Sequence, residues 1–222
     1  MWYTIAMNSQ KISQRRLDTY IFIDVSNIRM ACQKTLGFHL DFVRLIQYFK
    51  ERHPNLKDVR YYEGIARGDE KKQKMFQFLG EKGYTICPLV RKSYNSVEIE
   101  EIDAKCPKCG NEWVMELSRE HKAMKSNVDV YLASDMVALA SQADHPIHIV
   151  LVSCDGDYVE AIKTAISLNK NISVAVLATP FVKDMRRNTL SAKLQKLTAQ
   201  LPATRFTLQN VADIQDYLRC RA

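Results

Sequence analysis

The feature that most constrains this chain is a repeated pairing of a short apolar run with a segment of helical period. "YIFID" at residues 20–24, "DVRYYEG", "YTICPLV", "IHIVLVS" and "ISVAVLA" read as five strands. Between them, "DFVRLIQYFKER" places Phe42, Leu45, Ile46 and Phe49 at i, i+3, i+4 and i+7, one face of a helix. "DEKKQKMFQFLGEKG" is a charged amphipathic helix ending at Gly83. "KSNVDVYLASDMVALASQ" and "YVEAIKTAISLN" are two further helices. A loop is expected from the first strand through Gly37. A last helical region is expected over 184–200, and "FTLQNVADIQDYLRC" closes the chain as a strand and a helix. Strands alternating with helices predict a parallel sheet covered on both faces, and right-handed crossovers leave few topologies. The expected fold class is therefore α/β: a three-layer αβα sandwich around a mostly parallel sheet, ordered 3-2-1-4-5.

One segment breaks the alternation. Residues 94–120 interrupt it and hold the only cysteines paired by spacing, Cys106 and Cys109. The expected organisation is an N-terminal arm over 1–18 and one domain over 19–222, interrupted by this insert.

Bulk properties narrow the function. The chain has 222 residues and is 46% hydrophobic, enough for a full core. Lys and Arg outnumber Asp and Glu by 32 to 25, a net +7, which permits a polyanionic partner without requiring one. No apolar run approaches a membrane span, and the first residues lack a signal-peptide core. The remaining cysteines, Cys32, Cys87, Cys154 and Cys220, are scattered as in a reduced compartment. A cytoplasmic protein with no membrane partner is the expectation.

The chemistry concentrates in "VSCDGDY". In open parallel sheets, ligands bind beyond the carboxyl ends of the strands where the order reverses. Asp24 ends the first strand and Asp155 and Asp157 end the fourth, so the predicted order brings them together. Asp129 opens the helix that feeds the fourth strand, and Asp135 lies about 600° further round it, off the same face. Each acid also has a structural reading: Asp157 with Glu160 fits a capping box, and Asp129 favours a helix start. Gathered carboxylates raise one another's pKa, and a hard divalent cation removes that penalty and can activate water against a phosphodiester.

"FIDVSNI", "NVDVYLASDM" and "VLVSCDGDYVEAI", in this order, resemble the three signatures of the NYN domain, a PIN-like nuclease family that includes the LabA-like proteins. The resemblance implies a ribonuclease dependent on Mg²⁺ or Mn²⁺, with Asp24, Asp129, Asp155 and Asp157 as catalytic and metal-binding acids. It implies RNA as partner, and single-stranded RNA, with Asn27, Ser153 and Lys125 on the substrate side, is the expectation; Arg186 and Arg187, which follow the fifth strand, are candidates for phosphate contacts. The departures are Cys154 for the usual Gly, Gly156 for Ser, Tyr158 for Phe, and Ser126-Asn127 for Lys-Gly, with Lys125 displaced by one position. The rival expectation is an RNA-binding or adaptor module of the same fold with little turnover. A dehalogenase-type phosphatase would need Asp-x-Asp on the first strand, where Val25 and Ser26 follow Asp24, and a receiver domain would need acids beside Asp24.

"KCPKCGNEW" is the knuckle of a zinc ribbon, with Gly110 opening the bend. A closed structural site needs four ligands. His121 and Cys87 are candidates for the other two, and a site shared across a homodimer is a second route. A degenerate ribbon without zinc is the alternative. Arg15, Arg16, Arg67, Lys71, Lys72, Lys74 and Lys183 are candidates for phosphate contacts, and Tyr61, Tyr62 and Tyr94 for base stacking.

Overall fold

The computed structural model describes residues 17–183 and 189–220, and within that range not the side chains of residues 98 and 121–123. The first strand, β1 (Asp18–Asp24), is followed directly by helix α1 (Val25–Ala31), then by a π-turn over Cys32–Leu36 that ends on Gly37 at φ 69°. The expected loop is thus a helix. Its cause is local: Asp24 caps it by accepting the Asn27 N–H at 3.1 Å, and Val25, Ile28, Ala31 and Cys32 form a buried stripe. Helix α2 (Phe42–Arg52) starts where Asp41 accepts the N–H groups of Val43 and Arg44, and buries Leu45, Ile46 and Phe49. Then come β2 (Leu56–Ile65), α3 (Glu70–Lys82, stopped by Gly83 at φ 106°) and β3 (Thr85–Val90).

A long antiparallel hairpin, β4 (Lys92–Lys105) and β5 (Glu112–Lys125), comes next. The alternation resumes with α4 (Val128–Gln142), β6 (Ile147–Val152), α5 (Val159–Leu168), β7 (Ile172–Ala178), α6 (Ala192–Gln200), β8 (Phe206–Asn210) and the single turn α7 (Gln215–Leu218).

Six strands form one sheet in the order β3-β2-β1-β6-β7-β8, every neighbouring pair parallel. This is the expected 3-2-1-4-5 arrangement with β8 added at the far edge. Both faces are covered. Tyr61 packs edge-on against Phe42 of α2 and Phe76 of α3, while Tyr62 on the opposite face donates to Asp135 of α4 at 2.6 Å. Helices α4 and α5 pack on each other along that second face. Strands β6 and β7 are buried at every position, as parallel strands under two helical layers must be. The order reverses between β1 and β6, so the crevice at the carboxyl ends opens beyond Asp24 and Ser153. Among the described residues no helix is long and apolar enough to cross a membrane.

The insert differs from a compact ribbon. Its two 14-residue strands pair with each other along their whole length and, among the described residues, pack substantially on no other element. Cys106 and Cys109 sit in the turn at its far end, where the N–H of Gly110, at φ 73°, donates to the Cys106 carbonyl at 2.9 Å. His121 pairs with Ser96, nine residue pairs from the Lys105–Glu112 pair at the tip. At ~3.3 Å per residue that is roughly 30 Å. Cys87 lies on β3 in the main sheet, opposite Tyr62. Neither can complete a site with Cys106 and Cys109 of the same chain.

Candidate active site

Asp155 and Asp129 come within electrostatic reach of Asp24 where the topology puts them. Asp24 is the last residue of β1 and is 7% exposed. Its Oδ1 accepts the Asn27 N–H at 3.1 Å and its Oδ2 accepts the Tyr158 hydroxyl at 3.0 Å. Burial is the main reason its pKa rises to about 6, and the charges of Asp155 and Asp129 push it the same way against those two hydrogen bonds. Asp155 and Asp129 also act on Tyr158, whose hydroxyl is held far above its ordinary pKa, first by burial and then by Asp24. Three carboxylates therefore share one electrostatic environment at the reversal point. Tyr158, which stands where the resembling family has Phe, adds a donor aimed at the buried acid.

The turn is built on Asn27 and Ser153. The Asn27 Oδ1 accepts the Cys154 N–H at 2.8 Å and ties the end of β1 to the end of β6. The Ser153 Oγ accepts the Asp155 N–H at 3.2 Å and is wholly buried. Both side chains are committed to holding the turn, and Ser153 is out of a substrate's reach. Asp155 caps the short 3₁₀ turn Gly156–Tyr158 by accepting the Asp157 N–H at 3.0 Å. The cap is thus Asp155 and not Asp157. Glu160 pairs with Lys163 instead, so the expected capping box does not form. Asp157 is largely exposed and faces Lys193 of α6 at 3.6 Å.

Gly156 explains its own presence between the acids. A Cβ there would overlap the Ser191 side chain, which caps α6, and would come within 3.2 Å of Lys193. The Ser191 N–H donates to the Cys154 carbonyl at 2.9 Å, so the turn and the helix start cannot separate cheaply. Gly156→Ala should cost about 1–3 kcal/mol of stability. Urea unfolding measures this, and a neutral result would show that Ser191 yields freely.

Several expected substrate contacts fall elsewhere. Tyr61 and Tyr62 are each 1% exposed and belong to the core, so they cannot stack bases. Lys72 is engaged below the surface: its Nζ lies 2.7 Å from the wholly buried Glu63 and donates to the Gly64 carbonyl at 2.8 Å. Glu63 also meets Arg29 at 3.1 Å and the Tyr61 hydroxyl at 3.1 Å. Asp135 is held by Tyr62 and by Arg60 at 3.4 Å, outside the acid group. Lys125, Lys183, Arg67, Lys71, Lys74 and Tyr94 are exposed. Arg15, Arg16, Arg186 and Arg187 lie outside the described residues. Lys193, across from Asp157, carries no motif in the sequence, and only the packing of α6 against the turn reveals it.

The donor set is all oxygen, hard and anionic, which suits Mg²⁺ or Mn²⁺. Among the described residues no three His, Cys, Asp or Glu side chains lie close enough to hold an ion without adjustment. The acids feel one another but do not touch, as mutually repelling carboxylates should.

A six-stranded parallel sheet between helical layers, with a buried acid at its switch point, is an α/β architecture consistent with a PIN-like fold. The family model of the NYN domain matches residues 18–199, and the chain belongs to that family. Among solved structures, it is similar to the crystal structure of a protein of unknown function from Vibrio parahaemolyticus RIMD 2210633. The identity is 17% and the TM-score 0.57, over 93% of this chain and 98% of that one, a likeness of fold. No curated protein matches.

Proposed function

We propose that the chain is a metal-dependent endoribonuclease acting on single-stranded RNA. The observation that carries this reading is Asp24: a buried carboxylate at the switch point, its pKa raised by burial and by Asp155 and Asp129. Asp24, Asp129 and Asp155 would hold Mg²⁺ or Mn²⁺, with Asp157 joining them by leaving Lys193. When bound, the ion neutralises these acids and supplies the electrophilic help that phosphodiester hydrolysis needs. The chain's own part is positioning. Tyr158 and the Asn27 N–H fix both oxygens of Asp24, and the Asn27 side chain fixes the strand end that carries Asp155. Lys193, exposed beside Asp157, and Lys183 suit the phosphates of a passing strand, which adds affinity without sequence choice.

Labelled single-stranded RNA and DNA, incubated with protein in Mn²⁺, Mg²⁺ or EDTA, test the reading. Cleavage of RNA only with a divalent ion is expected, and equal cleavage in EDTA would overturn it. The spread of the carboxylates and the lost Lys-Gly favour a second reading, an RNA-binding module with little turnover. Its signature in the same samples is a retarded RNA band that remains intact with every ion.

A further inference from the structure

The hairpin is a two-stranded ribbon that carries a metal-ligand turn to its far end. The register shows what its faces hold. Ile102 lies opposite Met115, Ala104 opposite Trp113, and Glu100 opposite Leu117, and alternate pairs of a ribbon share a face. One face of the distal half is therefore mostly apolar, with Trp113, Met115 and Leu117 at 47%, 44% and 36% exposure. The other carries Glu101 opposite Glu116, Asp103 opposite the exposed Val114, and the Lys105–Glu112 ion pair at 2.7 Å, and is mostly charged. A mostly charged face and a mostly apolar face leave the apolar side suited to a partner, since a lone two-stranded ribbon is marginal in water. Cys106 follows Ile102 and Ala104 at the same parity, so the knuckle continues the apolar side.

The knuckle itself says what the partner is. Cys-Pro-Lys-Cys-Gly gives two thiolates, half of a closed tetrahedral site. Of the other candidates in this chain, His121 is out of reach by strand register, and Cys87 lies in the main sheet rather than on the hairpin. An identical second knuckle supplies the missing pair. We propose that two copies of this chain join hairpin to hairpin, Cys106 and Cys109 of each holding one zinc ion on the two-fold axis while the Trp113 faces pack together. Such a contact is isologous, so it closes at two copies. Because the knuckle lies at the far end of a ribbon that, among the described residues, packs substantially on no other element, the junction sits away from the acids of each domain.

The test uses the full chain under a thiol-free reductant, with light scattering after size exclusion and elemental analysis of the same peak. The expected result is a mass twice the 25.6 kDa of one chain, with one zinc per two chains. A zinc chelator should halve the mass, and added zinc should restore it. Cys106→Ser and Cys109→Ser should each lose both zinc and dimer while keeping the thermal transition of the domain. Trp113→Ala should weaken the dimer at least tenfold with the thiols intact. A monomer with one zinc per chain, zinc-free protein, or a dimer that survives chelation would each overturn the proposal. Cleavage is no part of the readout, so the outcome is independent of the nuclease reading.

Discussion

Replacing Asp24 by Asn should abolish cleavage and, in the same protein without metal, raise the melting temperature at pH 7. The two effects have one cause. Asp24 titrates near 6 in the fold against 3.8 for an ordinary Asp, because burial and then the Asp155 and Asp129 charges oppose its ionisation. A folded state that binds the proton more tightly than the unfolded chain is favoured at low pH. Stability from this group is full below about pH 4 and is lost as pH rises through 6. The loss at neutral pH is about 3 kcal/mol, because each tenfold difference in proton affinity between folded and unfolded chain is worth about 1.4 kcal/mol. Asn removes it. The carboxamide oxygen still accepts the Asn27 N–H, and its amino group can donate to the Tyr158 oxygen in place of the bond that Tyr158 now donates. For a chain of this length the gain should be roughly 5 °C or more in metal-free buffer, shrinking to nothing near pH 4. Differential scanning calorimetry across pH 4–8 in EDTA reads it directly. A lower melting temperature for Asp24→Asn at pH 7 would mean that the ionised carboxylate is stabilised where it sits, and the case for a cation there would fail. The converse should hold for the native chain: Mn²⁺ raises its melting temperature and leaves that of the variant unmoved.

The candidate site is legible in the sequence because it rests on a rule of topology. Once the strand order is read from alternation, Asp24 and Asp155 must converge, and they do. Their division of labour is not legible. Asp155 and Asp157 are separated by one Gly, and which of them caps depends on a 3₁₀ turn pinned by Ser191, far along the chain. Tyr61 and Tyr62 mislead for a related reason. Consecutive residues on a strand point to opposite faces, and on a strand covered twice both faces are interior, so two adjacent tyrosines are both core. Helix α1 is hidden because Val25-Ser26-Asn27 has weak helix propensity, and the helix is held instead by the Asp24 cap and a buried stripe. The hairpin escapes because its apolar residues have no core to point at, which blurs the alternation that marks a strand. The Cys-Pro-Lys-Cys turn at its tip is plain, since a knuckle is defined by spacing alone.

The second large effect concerns Glu63, which no motif marks. Its carboxylate is wholly buried among Lys72 at 2.7 Å, Arg29 at 3.1 Å and the Tyr61 hydroxyl at 3.1 Å. These contacts join α1, β2 and α3, with Glu63 one residue past the position on β2 that pairs with Asp24. Removing one partner of such a pair leaves an uncompensated buried charge and costs about 3–5 kcal/mol. Exposure orders the variants. Arg29 is 40% exposed and can turn to water, while Lys72 is 16% exposed and cannot easily do so. Lys72→Met and Glu63→Met should therefore each destabilise the fold strongly, and Arg29→Met by much less. The double variant Glu63→Met with Lys72→Met removes both charges of the closest pair and fills the space with apolar atoms. It should be more stable than either single variant, because a buried ion pair contributes little net stability even though its halves are costly to orphan. Urea unfolding of all four proteins closes the cycle. If the double variant loses the sum of the two single losses, the pair is not acting as a buried unit. Lys72 would then be free for the phosphate role that its place in the basic run of α3 suggests.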